Sequence, residues 1–465
     1  LNSRKWWILV AIGIGTFMTA LDGSVVNTIL PVLRNTFSAS IASIEWVVTV
    51  YLLVISGLLL SFGRLGDMQG HKKIYLLGFF IFIASSALCG LAGSVQLLTI
   101  LRAVQALGGA MLAANSPAIL TKSFPARQRG QALGLQATMT YLGLTIGPSL
   151  GGWLTEQFSW RTVFYINVPV GLLAIILSLQ FIQKDPHSEH HESFDYLGAA
   201  LFMTGLTALL FGLNQGQDLG WSYAPIILSF IVAISALVMF WWVETRATAP
   251  MLDLNLFKSM QFSLSVISAI FNYMCVYCVI FLMPFYLIQG LEMSPSRAGL
   301  ILTAMPIVMA IAAPISGGLS DRFGTRFLAV LGMSILAVGL FLLARLEPFS
   351  SPLNIASRLA VTGLGLGIFI SPNTSALMGT APRQRQGIAS GVLATSRNLG
   401  MVLGVGYAAA IFTTRLGTQT THDVQHIVLA IQASFLAATA IAILGIITTA
   451  IRPQTKHLQK PAQTG

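Results

Sequence analysis

Charged side chains are scarce in this 465-residue chain, at 9% of the residues, and only 15 of them are acidic. A water-soluble domain carries roughly a quarter charged residues, so an ordinary soluble surface has nothing to be built from. Cysteine is nearly absent as well: three thiols cannot form a disulfide framework. Cys275 and Cys278 make a C-x-x-C, but they lie within the apolar run from Phe271 to Phe285 with no second ligand pair nearby, which argues against a metal or redox site. No G-x-x-x-x-G-K-[ST] phosphate loop is present, which disfavours a primary pump. Paired acids, a histidine metal set, or a nucleophile beside its base are missing from the apolar runs, so no catalytic residue is assigned. His187, His190 and His191, among Asp185, Glu189 and Glu192, read as a polar loop rather than a metal cluster. No metal or cofactor is expected.

What the chain has in abundance is apolar residue, 55% of the total, with a mean hydropathy of +0.78. A spanning helix needs about 20 mostly apolar residues. Runs of that kind fall near 6–28, 44–62, 74–93, 96–119, 131–153, 162–183, 196–213, 224–243, 262–288, 298–318, 328–344, 353–379, 388–413 and 427–450, so about fourteen helices and their loops use nearly the whole chain. The first run, Trp6 to Val26, reads as a span rather than a cleaved signal. The expected class is an all-α polytopic membrane protein. With both termini placed in the cytoplasm, most of the 26 Lys and Arg fall in inner segments, among them Lys72, Lys73, Arg326 and Arg452. Only Arg34, Arg161, Arg297, Arg345 and Arg415 fall outside, and Arg102, Arg358 and Arg397 within spans. The net charge of +11 is therefore topological, and no nucleic acid is needed to explain it.

The chain repeats itself. Gly63-Arg64-Leu65-Gly66-Asp67 and the Met68-Gln69-Gly70-His71-Lys72 that follows recur as Gly317-Gly318-Leu319-Ser320-Asp321 and Arg322-Phe323-Gly324-Thr325-Arg326. Arg102 with Gly108 and Gly109 recurs as Arg358 with Gly363 and Gly365, and Pro125 to Gly130 as Pro382 to Gly387. Two six-helix bundles, 1–183 and 261–465 with its cytoplasmic tail, would flank a two-helix insertion with its loops at 184–260. Parallel repeats of this kind let a central site alternate its access.

Asp22 is the one carboxylate placed deep within a span, where an ionised acid costs several kcal/mol and gains from taking up a proton. Counting ~1.5 Å per residue, Asp22 and Arg102 lie at matching depths, so the two form a pair that is made and broken as the proton comes and goes, or a permanent ion pair. Gly63, Gly66 and Gly70 make a pliable turn around Asp67, followed by Lys72 and Lys73. Asp67, with its counterparts Asp321 and Arg322, reads as a latch closing the cytoplasmic side in one state, or as a solvated turn. Arg397 has no carboxylate at its depth in the second half and must find carbonyls, Asn398, water or an anionic cargo. Asn27, Gln136, Asn272 and Asn373 are candidate pocket residues, because polar amides seldom face lipid, and Tyr273 is a candidate as an aromatic ring that lines a permissive pocket or else packs or faces lipid.

Leu21-Asp22-Gly23-Ser24-Val25 with Val26-Asn27-Thr28-Ile29-Leu30-Pro31, the Gly63 to Lys73 loop, Leu101 to Gly109, Gly143 to Gly152, and Trp160-Arg161 with Ile166 to Gly171 together resemble the major facilitator superfamily. Within it they resemble the fourteen-helix drug:proton antiporters of the EmrB/QacA type. The resemblance covers almost the whole chain and implies export of small lipophilic compounds or drugs, multidrug efflux and drug resistance, from the cytoplasm across the cell (inner or plasma) membrane. It implies the proton gradient as driving force, protons and the lipid bilayer as partners, and it allows an accessory export protein. It also implies that Gly143, Gly147, Pro148, Gly151 and Gly152 form an antiporter hinge or seal against proton leak. A uniporter or importer of a small polar metabolite, and a membrane-embedded lipid-handling enzyme, are the alternatives.

Overall fold

The computed structural model describes residues 2–125, 129–183, 195–246, 254–380, 386–416 and 424–453. Among them the chain is helical, because a backbone crossing lipid must satisfy its own N–H and C=O groups. The first half contains α1 (Asn2–Phe37), α2 (Ile41–Gln69), α3 (His71–Gly90), α4 (Val95–Ser123), α5 (Arg129–Gln157), α6 (Thr162–Tyr165) and α7 (Asn167–Phe181). A hairpin follows of α8 (Tyr196–Leu219) and α9 (Ala224–Glu244). The second half contains α10 (Met260–Pro284), α11 (Pro295–Leu302), α12 (Ala304–Phe323), α13 (Thr325–Leu343), α14 (Pro352–Thr380), α15 (Gln386–Leu416) and α16 (Val424–Ile451). Several starts are capped by a side-chain oxygen that accepts an otherwise unused backbone N–H: Ser40, Ser94, Asp195, Ser259 and Ser294.

Twelve helices among the described residues are long and apolar enough to cross a membrane. The sequence pattern predicts about fourteen; the runs at 131–153 and 196–213 are helical, as α5 and α8, but are not among the twelve. Helix α5 is diluted by Gln136, Thr138, Thr140 and Gly143, and in α8 the apolar stretch among the described residues is Leu197–Leu213. Helix α9 is apolar all round, and Ile227, Leu228, Ile231, Ile234 and Val238 are exposed on it, a pattern suited to lipid contact.

The repeat is visible in the packing. Helix α1 packs along α5 as α10 does along α15, α3 on α4 as α13 on α14, and α2 on α4 as α12 on α14. The α8–α9 hairpin lies against α2 and α15, one helix from each half. Helices begin and end alternately at a basic face, bearing Arg4, Lys5, Lys72, Lys73, Lys122, Lys258, Arg326 and Arg452, and at a far face.

Two boundaries differ from the apolar runs. Helix α1 continues past Thr28 to Phe37 with Pro31 inside it, so Asp22 sits ~22 Å from the far end of its helix, deeper than the run implies. Helix α2 continues through Gly63 to Gln69; Asp67 is in its last turn, not in a loop beyond it. The break is a single residue, Gly70, at φ 95°, where a side chain would be strained. Its N–H returns to the Gly66 carbonyl at 2.9 Å. Gly324, at φ 83° with its N–H on Ser320 at 3.0 Å, makes the same corner between α12 and α13, so Asp321 and Arg322 are also in a final helical turn. The side chains of Asp67, Asp321 and Arg322 lie outside the described residues.

Candidate functional site

The two halves are closed against each other at the far face. Gly152 of α5 has no room for a Cβ because the Pro295 carbonyl occupies that space, and Gly299 of α11 faces the Pro148 carbonyl in the same way. Ser149 and Thr303 share a hydrogen bond of 2.7 Å across this seam, and the Ser296 N–H donates to Glu156 at 3.1 Å. Arg34 donates to the Gln289 side-chain oxygen at 2.7 Å. On the other side of α5, Gly143, Gly147 and Gly151 are buried against Phe17, Ser24 and Val25 of α1, spaced four apart so that the two backbones run close together. Pro148 lies buried between the two contacts.

Below the seam is a cavity of about 530 Å³, lined by both halves from mid-bundle toward the basic face. Its wall is mainly apolar, with Tyr51, Tyr141, Tyr273 and Tyr277 among the aromatic side chains. Asn27, Gln136, Tyr273 and Arg397 line it. Gln136 donates to Thr16 at 3.2 Å, and Asn27 to the Gly23 carbonyl at 2.7 Å. Asn272 and Asn373, expected to face a pocket, do not. Asn272 is buried against Met333 of α13. Asn373 donates to the Ser265 carbonyl at 3.0 Å and accepts from Arg452 at 2.9 Å. They are turned into the packing of the second half, where Arg452 is itself buried. Burial first, then the nearby Arg326, lower the Arg452 guanidinium to about 10, so it stays charged at neutral pH and holds the Asn373 oxygen.

Beside the cavity, Asp22 and Arg102 form an ion pair at 2.5 Å, each 1% exposed. The other Asp22 oxygen accepts from Gln105 at 3.0 Å and from Asn167 at 2.8 Å. Arg102 also donates to Gln105 at 2.8 Å and to the Val47 carbonyl at 3.3 Å, while its guanidinium lies 4.1 Å from the Tyr51 ring centre. Asn167 donates on to Ser86, whose hydroxyl donates to the Phe164 carbonyl. Helices α1, α4 and α7 thus meet at one carboxylate, with α2 and α3 holding its partners Arg102 and Asn167. Three donors aimed at it match the ionised form, and a proton on Asp22 would make one of them redundant. Arg102 lines the cavity and Asp22 sits behind it, so loss of this pair changes the charge at the cavity wall.

Gln105 and Asn167 are site residues that the sequence reading does not single out. Gln105 lies one turn after Arg102, on the same helix face, which is a usable signal; nothing local in the sequence points Asn167 at Asp22. A second buried carboxylate, Glu45, lies in the first turns of α2 at the far face, 1% exposed, and accepts from Thr49 at 3.3 Å. The edge of an apolar run hid it. Lys72 donates to the Leu179 and Ile182 carbonyls at the end of α7, an interaction within its own half that suits a cation at a helix C-terminus.

A twofold-repeated helical bundle, closed at one face around a central cavity with a buried ion pair on its wall, has known counterparts. Residues 12–242 and 265–465 match the sequence pattern described as Major Facilitator Superfamily. The chain belongs to the major facilitator superfamily. Among curated members it is 34% identical over 452 residues to the riboflavin transporter RibZ of Clostridioides difficile, covering 96% of this chain and 97% of that protein. It is 32% identical to the multidrug resistance protein Stp of Mycobacterium tuberculosis, covering 88% of this chain and 76% of Stp. It is 30% identical to the tetracenomycin C resistance and export protein of Streptomyces glaucescens, covering 90% of this chain and 77% of that protein. A bacterial homologue of the human lysosomal transporter Spinster, solved in an inward-facing and unoccupied conformation, shares the facilitator fold. The TM-score is 0.71, at 16% identity over 97% of both chains. The relatives and the fold are those of multi-pass membrane transporters, not of enzymes, and a small-molecule substrate follows from that membership.

Proposed function

We propose that this facilitator is a proton-coupled exporter of small lipophilic, largely aromatic compounds, of the fourteen-helix drug:proton antiporter type. The basic face is cytoplasmic and the protein resides in the cell membrane, since Lys and Arg concentrate on the cytoplasmic side of spanning bundles. The observation that carries the reading is Asp22, held by Arg102, Gln105 and Asn167 beside a central cavity lined by both halves. Proton uptake by Asp22 releases Arg102 and alters the cavity wall; proton loss restores the pair. Coupling follows when the two forms favour different faces. The names of the multidrug resistance and tetracenomycin C resistance and export relatives support a drug as cargo and outward transport.

The test is transport in proteoliposomes under an imposed pH gradient, with a panel of dyes and drugs. Asp22→Asn is expected to abolish gradient-driven accumulation and to leave exchange of labelled for unlabelled compound across the membrane in place. Accumulation by Asp22→Asn at the parent rate would remove Asp22 from coupling and with it the present reading.

A further inference from the structure

Two arginines line the cavity, and they are in opposite electrostatic situations. Arg102 is 1% exposed, and its charge is matched by Asp22. Arg397, from the middle of α15, is exposed at the cavity wall, and among the described residues no carboxylate lines that wall with it. Asp22 is committed on both oxygens, and Glu45 is buried on α2 outside the lining. The cavity therefore presents one uncompensated positive charge within a mainly apolar enclosure. A cation entering it meets like charge in surroundings of low dielectric, where the repulsion is little screened. An anion supplies the missing partner.

Three hydroxyl-bearing rings share the cavity wall with that charge. Tyr273, Tyr277 and Tyr141 lie within electrostatic range of Arg397, with the Tyr273 hydroxyl closest to its guanidinium. Tyr141 belongs to α5 of the first half and the other two to α10 of the second. A planar ring packed against them would bury aromatic surface, while its acidic group reaches a guanidinium whose forked donors fit a carboxylate or sulfonate. We infer that the cavity selects planar aromatic anions, anchored at Arg397, over cations of the same shape. This deepens the transport reading and rests on the cavity being the cargo site.

Fluorescein and rhodamine 123 share a xanthene body and differ in charge, anionic and cationic respectively at about pH 8. Their binding to the purified full chain in detergent is read by fluorescence anisotropy, which needs no pH gradient. Fluorescein is expected to bind at least about tenfold more tightly. Arg397→Gln is expected to bring the two dyes within about twofold, with rhodamine 123 binding at least as well as to the parent, which also shows that the variant is folded. Arg397→Lys keeps the charge and most of the preference. Equal binding by the parent, a preference for rhodamine 123, binding of neither dye, or an unchanged ratio in Arg397→Gln overturns the inference. Absence of gradient-driven accumulation by the parent protein, or unchanged accumulation by Asp22→Asn, with the dye preference intact, would instead count against the proposed function alone.

Discussion

A single methyl group at Gly299 is expected to unbalance the closed far face. A Cβ there points into the Pro148 carbonyl and comes within 3.1 Å of the Ser149 Cα. These are backbone atoms of α5 and cannot swing aside as the end of a flexible side chain does, so α11 must retreat from α5 or bear the overlap. Overpacking of this kind costs ~1–3 kcal/mol. The cost falls only on the conformation in which the two helices touch; a conformation open at the far face parts them and is spared. At about 1.4 kcal/mol per factor of ten, the ratio of far-open to far-closed molecules rises by ~5- to 150-fold. Gly152→Ala, which meets the Pro295 carbonyl, is expected to act in the same direction, and the two changes together less than additively because they report on one seam. The assay places a reporter thiol in the cavity by Ile280→Cys, the native thiols Cys89, Cys275 and Cys278 being buried. A membrane-impermeant maleimide is then applied from the far face. Gly299→Ala on this background should label faster than the reporter alone. Labelling at the same rate or more slowly, from protein that reaches the membrane normally, would refute the reasoning.

Arg102→Gln leaves the buried Asp22 without its cation and is expected to cost about 3–5 kcal/mol, read as a fall in Tm. Adding Asp22→Asn should recover most of that loss without restoring gradient-driven transport, and failure to recover would mean that Arg102 stabilises the bundle through contacts other than the pair. Gly70→Ala and Gly324→Ala each force a side chain into the left-handed region, and each is expected to destabilise by ~1–2 kcal/mol. Equal thermal stability of parent and variants would show that the corners relax. Gradient-driven accumulation lost in Asp22→Asn, and dye preference lost in Arg397→Gln, complete the set.

Much of this architecture is legible because lipid imposes a coarse rule on sequence. Apolar runs mark most of the helices, and the recurrence of Gly63 to Lys72 as Gly317 to Arg326 marks the doubling. Asp22 and Arg102 stand out as charges in apolar helices, which is enough to suggest the pair. The rest depends on rotation about each helix axis, which an apolar run does not encode when a helix is buried on several sides. Asn272, Asn373 and Tyr273 look equivalent in sequence, yet only Tyr273 faces the cavity; the amides are turned toward Met333 and toward Ser265 with Arg452. Asn167 escaped for a related reason, since its partner lies on another helix far away in sequence. Glu45 sits at the edge of its run, where a charge reads as a boundary, and the extended ends of α1 and α2 are not legible because helices continue past the hydrocarbon-like stretch that defines a run. The corner at Gly70 was legible as a glycine-rich turn, but which of three glycines breaks the helix follows only from φ.

Those one-residue corners carry a mechanical consequence. With a single glycine joining α2 to α3, and another joining α12 to α13, neither pair has slack to absorb a rotation, so torque applied to one member is delivered to the other. Each of these two helix pairs therefore moves as a unit. Insertions accumulating over evolutionary time should accordingly be purged at the two corners, where one added residue would uncouple the paired helices.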